Sequence, residues 1–235
     1  MFEVLDGKFI HRGPLPSKEL LKQPNGIAAF RDGTVYVTDF DLPPSRAGDL
    51  PHPVNVDPDK TANTLIAYTP PACGKGEGKW KVVGAGFNGC NGVAPGPEGR
   101  SLLVACWHSS TVWSIPRNPE TGELWYHGTA KPLGLGLRFH PDNIKLTSPG
   151  HYEVCGQNSK IGPLLNFLLS LPSAPGGAMG FDWNGSDLSG IEDRTSALSG
   201  NRLGPSTAIV LGVNLYAGQP KDRNVYTVKF RSSRR

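Results

Sequence analysis

Three stretches of this chain repeat one pattern, and the repetition narrows the folds open to it. They are "PNGIAAFRDGTVYVTDF" (Pro24 to Phe40), "CNGVAPGPEGRSLLVACW" (Cys90 to Trp107) and "PDNIKLTSPGHYEVCGQN" (Pro141 to Asn158). Each places an asparagine ahead of a short apolar alternation, then a glycine-containing turn, then a second apolar run. The turns "RDGT", "GPEGRS" and "SPGH" carry the glycine, proline and aspartate that tight turns demand. A looser fourth copy, "GPSTAIVLGVNLYAG" (Gly204 to Gly218), has Ser206 and Thr207 at the polar position.

Further strand-like runs fall between the copies. "NTLIAYTP" and "GKWKVVGAGF" follow the first; "STVWSIPR" and "GELWYHGTA" follow the second, joined by the hairpin signal "NPETG"; "NVYTVKF" follows the fourth. Units of roughly four strands thus begin at Asn25, Asn91, Asn143 and near Ser206, with spacings of 66, 52 and 63 residues. Such intervals fit β-propeller blades lengthened by insertions. A two-sheet sandwich gives no reason for a polar residue at the first strand of every unit. The expected fold is therefore all-β, a single β-propeller domain over residues 1–235, with blades at 24–88, 90–134, 141–203 and 204–231. The leading run "FEVLDGKFI" reads as the last strand of a preceding blade (residues 1–10), which makes the chain the expected C-terminal part of a larger propeller. Propellers of about four to eight blades are known, so a four-bladed ring also stays open.

Composition agrees. Glycine and proline make 52 of 235 residues and hydrophobics 37%, which suits many short strands joined by turns around a core. The net charge of +4 is scattered apart from the tail "KFRSSRR", so no basic face with stacking aromatics is expected and no nucleic-acid partner. Cys73, Cys90, Cys106 and Cys155 form no C-x-x-C pair, which disfavours zinc; Cys106 and Cys155, at strand ends, are expected as buried free thiols. No run approaches the ~20 apolar residues of a membrane span. The first residues lack the apolar core of a signal peptide, and the compartment stays open.

The first strand of a propeller blade lines the central channel, so polar residues at those strand starts converge at one mouth. Asn25, Asn91, Asp142 and Asn143 would supply amide carbonyls and one carboxylate there. Hard oxygens of mixed charge suit calcium, which takes ~6–8 of them, and suit zinc or copper poorly. The same residues are also ordinary turn formers that bond their own backbone. Both roles are open from the residues alone.

The segments "LLKQPNGIAAF", "GFNGCNGVAPGPEG" and "HPDNIKL" resemble three consecutive blade starts of the paraoxonase/arylesterase lactonases. These belong to the six-bladed calcium-dependent propellers that include gluconolactonases and senescence-marker proteins. The order of short motifs matches over nearly the whole chain, from "KFIHRG" to the closing "VYTVKF". The resemblance implies a calcium ion held by Asn25, Asn91, Asp142 and Asn143, and hydrolysis of a lactone or ester, with phosphotriesters as promiscuous substrates. The family's glutamate ligand has no counterpart in this chain. Where paraoxonases carry an aspartate for a second calcium, this chain has Gly26, so no second site of that kind is expected.

For the general base, the candidates are His11, ahead of the first asparagine, and His108, in the loop after a second strand. Asp39, Trp107 and His108 are candidate walls of the substrate pocket, and Cys155 matches a free cysteine of the family. The proline-rich insertion from Asp41 to Lys60, with Asp49 and His52, is either a lid or a passive loop. The run from Lys160 to Pro172 is either an apolar wall or internal packing. Asn184-Gly185-Ser186 is a glycosylation sequon, of consequence only in a secreted eukaryotic protein. The competing reading is a non-catalytic propeller, similar to strictosidine-synthase-like proteins, that binds a ligand or partner at the channel mouth.

Overall fold

A computed structural model describes residues 2–5, 8–11, 21, 23–40, 64–71, 78–84, 87, 89–126, 129–158, 176–199, 205–211, 214–218 and 225–229. The insertion from Asp41 to Lys60, Cys73, and the run from Lys160 to Pro172 lie outside these residues. The repeated runs form antiparallel strands that meander outward within each sheet. β1 (Phe2–Leu5) and β2 (Lys8–His11) make a two-stranded hairpin. The first four-stranded sheet runs β3 (Pro24–Ala29), β4 (Val35–Asp39), β5 (Thr64–Thr69) and β6 (Lys79–Gly84). The second runs β7 (Cys90–Pro95), β8 (Ser101–Cys106), β9 (Thr111–Pro116) and β10 (Lys131–Leu133). The third runs β11 (His140–Ser148), β12 (His151–Gln157), β13 (Gly176–Trp183) and β14 (Leu188–Asp193), with the short helix α1 (Thr195–Ser199) after it. The last is three-stranded: β15 (Thr207–Leu211), β16 (Asn214–Gly218) and β17 (Val225–Lys229).

Successive sheets stand beside one another through their first strands: β3 meets β7, β7 meets β11, and β11 meets β15. This is the β-propeller arrangement, and the sequence shows why it forms. β8 reads SLLVAC and is buried at all six positions. Leu102, Val104 and Cys106 pack toward the first sheet with Tyr36, Leu65, Phe87 and Ile115. Leu103 and Ala105 pack toward the third, with Phe139, Ile144, Tyr152, Val154 and Phe181. A strand that is apolar on both faces needs a layer on each side, and neighbouring blades supply them. A third core of Cys155, Ala178, Leu198, Ala208, Leu215 and Ala217 joins the third and fourth sheets. Cys90, Cys106 and Cys155 are free and buried. No helix of the described residues is long and apolar enough to cross a membrane.

The hairpins between first and second strands turn on glycines in the left-handed region: Gly33 (φ 83), Gly99 (φ 70) and Gly150 (φ 75). Two expectations fail. "GELWYHGTA" is not the outer strand of its sheet; β10 occupies that edge, and only an isolated bridge joins Leu124 to Arg117. The reason lies in packing, since Leu124 and Tyr126 fill the core between the first two sheets. "FEVLDGKFI" is two strands, with Leu5 opposite Lys8, because Asp6-Gly7 is a two-residue hairpin signal.

Candidate functional site

The strand starts converge because glycine follows two of the asparagines. A β-carbon at Gly26 would lie 2.6 Å from the carbonyl oxygen of Asn91, and one at Gly92 would lie 2.6 Å from that of Asp142. Each "NG" therefore marks a place where one blade's inner strand runs against the next. Thr38 stitches the first contact: its Oγ1 accepts from Gly26 N (2.8 Å) and donates to Asn91 O. The backbone at residue 26 leaves no room for an aspartate side chain.

Asn91, Asp142 and Asn143 meet as a result. Asp142 accepts from Gln157 Nε2 at Oδ2 (2.9 Å) and from Asn143 Nδ2 at Oδ1 (3.2 Å), and the Asn91 amide donates to the same carboxylate. Part of the residue reaches solvent, but burial of the carboxyl raises its pKa to about 6 against the lowering effect of Gln157 and Asn91. Asn143 Nδ2 also donates to Ser206 O (2.7 Å), the polar position of the fourth repeat. Asn91 is 4% exposed, and its Oδ1 is buried without a hydrogen-bond partner. A buried amide oxygen of this kind costs free energy unless something binds it. Beside a carboxylate and a second amide, it fits a hard cation. Among the described residues, no three His, Cys, Asp or Glu side chains gather to hold a softer metal.

One wall of the site is aromatic. Trp107 is buried and donates from Nε1 to Gln157 Oε1 (2.7 Å). His140 lies over the Trp107 ring (centroids 4.9 Å apart), with Nδ1 2.9 Å from Trp107 O and 3.0 Å from Ser110 Oγ. A carbonyl only accepts, so Nδ1 carries a proton. His108 stacks on Phe40 (5.9 Å), meets Trp107 edge-on (5.0 Å) and packs against Gly89, just before β7. It therefore lies at the same end of the blade as Asn91.

Asn25 stands exposed in β3, one strand away, and among the described residues forms no hydrogen bond with the Asn91–Asp142–Asn143 cluster. Asp39 is buried at the end of β4 and accepts from Gln23 N at 2.5 Å, which anchors the chain entering β3. His11 closes β2, and its side chain lies outside the described residues. Cys155 sits beneath the cluster; burial first, then the Asp142 charge, push its thiol pKa well up. Gln157 and His140 escaped sequence reasoning, although they are direct partners across β11 and β12. The one available signal was position: His140 lies just ahead of the "DN" pair, and Gln157 closes the next strand of the same repeat. A cavity of about 1140 Å³ lies at the other end, among the hairpin turns near Phe30, Pro97 and Pro149. None of the cluster residues lines it.

No protein-family model and no curated protein matches the sequence. Solved structures do. A gluconolactonase from Xanthomonas campestris superposes with a TM-score of 0.53 at 14% identity, over 95% of this chain and 62% of that one. The periplasmic gluconolactonase of Pseudomonas aeruginosa gives 0.47 at 11% identity, over 90% and 58%. The PQQ domain of a Coprinopsis cinerea pyranose dehydrogenase gives 0.42 at 16%, over 70% and 34%. The chain thus shares the β-propeller fold of the Xanthomonas enzyme and spans less than two thirds of its length.

Proposed function

We propose that this chain is a calcium-dependent hydrolase of lactones or esters, lactonase or arylesterase in type. The buried Oδ1 of Asn91, without a partner beside the Asp142 carboxylate, is the observation that carries the reading. Asn91, Asp142 and Asn143 would hold the ion, with Asn25 reaching from the adjacent inner strand. Bound there, calcium supplies Lewis-acid polarisation of the substrate carbonyl. Phe40 and Trp107, whose rings meet edge-on 6.2 Å apart, would shield one side of that point from water. The proton of the attacking water goes to an imidazole of the same wall, His108 or His140. With a proton on Nδ1 facing Trp107 O, a neutral His140 ring has its basic lone pair on Nε2. The likeness in fold to a gluconolactonase supports a small cyclic ester as substrate class, and phosphotriesters remain a promiscuous extension.

A second reading has its own support. The cluster closes on itself through the bonds from Gln157, Asn143 and Asn91 to Asp142, which would let it stand as a ligand-binding mouth without turnover. Hydrolysis of a δ-lactone and of a phenyl ester, followed with calcium and then with chelator, separates the two. The hydrolase reading expects turnover that chelation and Asp142→Ala both abolish, and that His108→Asn or His140→Asn lowers by about 10²–10⁴. Calcium-independent turnover, or none with calcium bound, refutes it.

A further inference from the structure

We infer that Gln157 is a positioning residue that fixes the Asp142 carboxylate for the cation, and that Trp107 sets which way the Gln157 amide faces. The inference rests on the calcium reading above. The two ends of a glutamine amide have nearly the same shape, so only their partners decide the orientation. Here the partners decide it fully. Trp107 Nε1–H can only donate, so the atom 2.7 Å away is Oε1. The amide nitrogen then faces two acceptors, Asp142 Oδ2 at 2.9 Å and Pro205 O at 3.3 Å. Gln157 is 4% exposed, and its acceptor and both donors have protein partners, which leaves little freedom to turn.

Trp107 is itself anchored at both backbone groups. Its N–H donates to Gly89 O (2.7 Å), and its carbonyl accepts from His140 Nδ1 (2.9 Å). His140 is the cross-strand partner of Gln157, so Trp107 is tied both to the strand that carries Asp142 and to the strand that carries Gln157. With Oδ2 taken by Gln157, Asp142 keeps a fixed plane. Asn143 Nδ2 at Oδ1 (3.2 Å) and the Asn91 amide, whose own buried Oδ1 has no hydrogen-bond partner, meet the same carboxylate. If the indole donor is lost, the Gln157 amide can flip, bringing one acceptor against another and freeing the carboxylate to rotate. Partners of this kind behind a metal ligand typically contribute 10–100-fold to metal affinity.

The test is a calorimetric calcium titration of the full chain, of Gln157→Met, of Trp107→Phe and of the double variant. Gln157→Met keeps the volume and removes the donor; Trp107→Phe keeps an aromatic ring and removes the indole N–H. Each is expected to weaken calcium binding, Gln157→Met by about tenfold or more. The double variant should be no weaker than Gln157→Met alone, because Trp107 acts through Gln157; a merely structural role would give additive losses. Affinity of Gln157→Met within twofold of the parent, or additive losses, overturns the relay. If Gln157→Met does not fold, unchanged affinity in Trp107→Phe overturns it alone. A parent chain that takes up no calcium removes the calcium reading and the relay together, an outcome distinct from both.

Discussion

Replacing Gly92 with alanine tests the strand spacing on which the site depends. The added β-carbon would lie 2.6 Å from Asp142 O, 2.6 Å from Ile144 N and 2.7 Å from Asn143 Cα. All three are backbone atoms of β11, so no side chain can swing aside. Carbon contacts settle near 3.5–4.0 Å, so β7 and β11 must part by roughly 1 Å. Overpacking of this order costs about 1–3 kcal/mol. For a chain of this length each kcal/mol lowers the melting temperature by about 2–4 °C. Gly134→Ala is the matched control, since nothing lies within 4 Å of a β-carbon there; that change should be neutral or stabilise by about 0.4–1 kcal/mol through the unfolded chain. Thermal and urea unfolding of the two variants side by side should separate them clearly. The separation should also appear as weakened calcium binding in Gly92→Ala, because Asp142 and Asn143 move with the strand. Equal stability of the two variants would refute the claim that "NG" marks blade-to-blade contact.

Two further expectations concern charge. In chelator, Asp142 titrates near 6 in the fold and near 3.8 when unfolded, so its contribution favours the fold below pH 4 and is lost as pH rises through 6. The loss is on the order of 3 kcal/mol. Urea unfolding across pH 4–7 should show Asp142→Asn gaining on the parent as pH rises, and calcium should close the gap; a constant difference would contradict the burial of this carboxyl. Arg117, 2% exposed, pairs with Asp32, donates to Tyr36 Oη (3.0 Å) and Gly99 O (3.1 Å), and lies 4.1 Å over Phe30. Arg117→Met should cost about 2–4 kcal/mol in chemical denaturation. Arg100→Met, from an exposed pair with Glu98, should stay within about 0.5 kcal/mol.

The propeller was legible because two periodicities coincide in the sequence. One is the apolar run of a strand buried on both faces, as in Ser101–Cys106; the other is the recurrence of asparagine and turn glycine from unit to unit. Asn91, Asp142 and Asn143 could be grouped for the same reason: they hold equivalent places, and equivalent places in successive blades are neighbours. Residues that act from a single blade were hidden. Gln157 and His140 have no counterparts in the other units, and only the pairing of β11 with β12 brings Gln157 to Asp142 and sets it opposite His140. The glycines after Asn25 and Asn91 look like turn residues until the neighbouring backbone is seen 2.6 Å from their absent side chains. Leu124 and Tyr126 read as strand because sequence alternation does not distinguish an edge strand from a segment that folds back to plug a core.

On the proposed reading, the oxygens of Asn91, Asp142 and Asn143 form a calcium site at one end of the propeller. Calorimetric titration of calcium into the metal-free chain near pH 7.5, repeated on Asp142→Ala, tests it most directly. One binding event in the parent chain should disappear in the variant. No heat of binding up to millimolar calcium, or binding that survives Asp142→Ala unchanged, would contradict it.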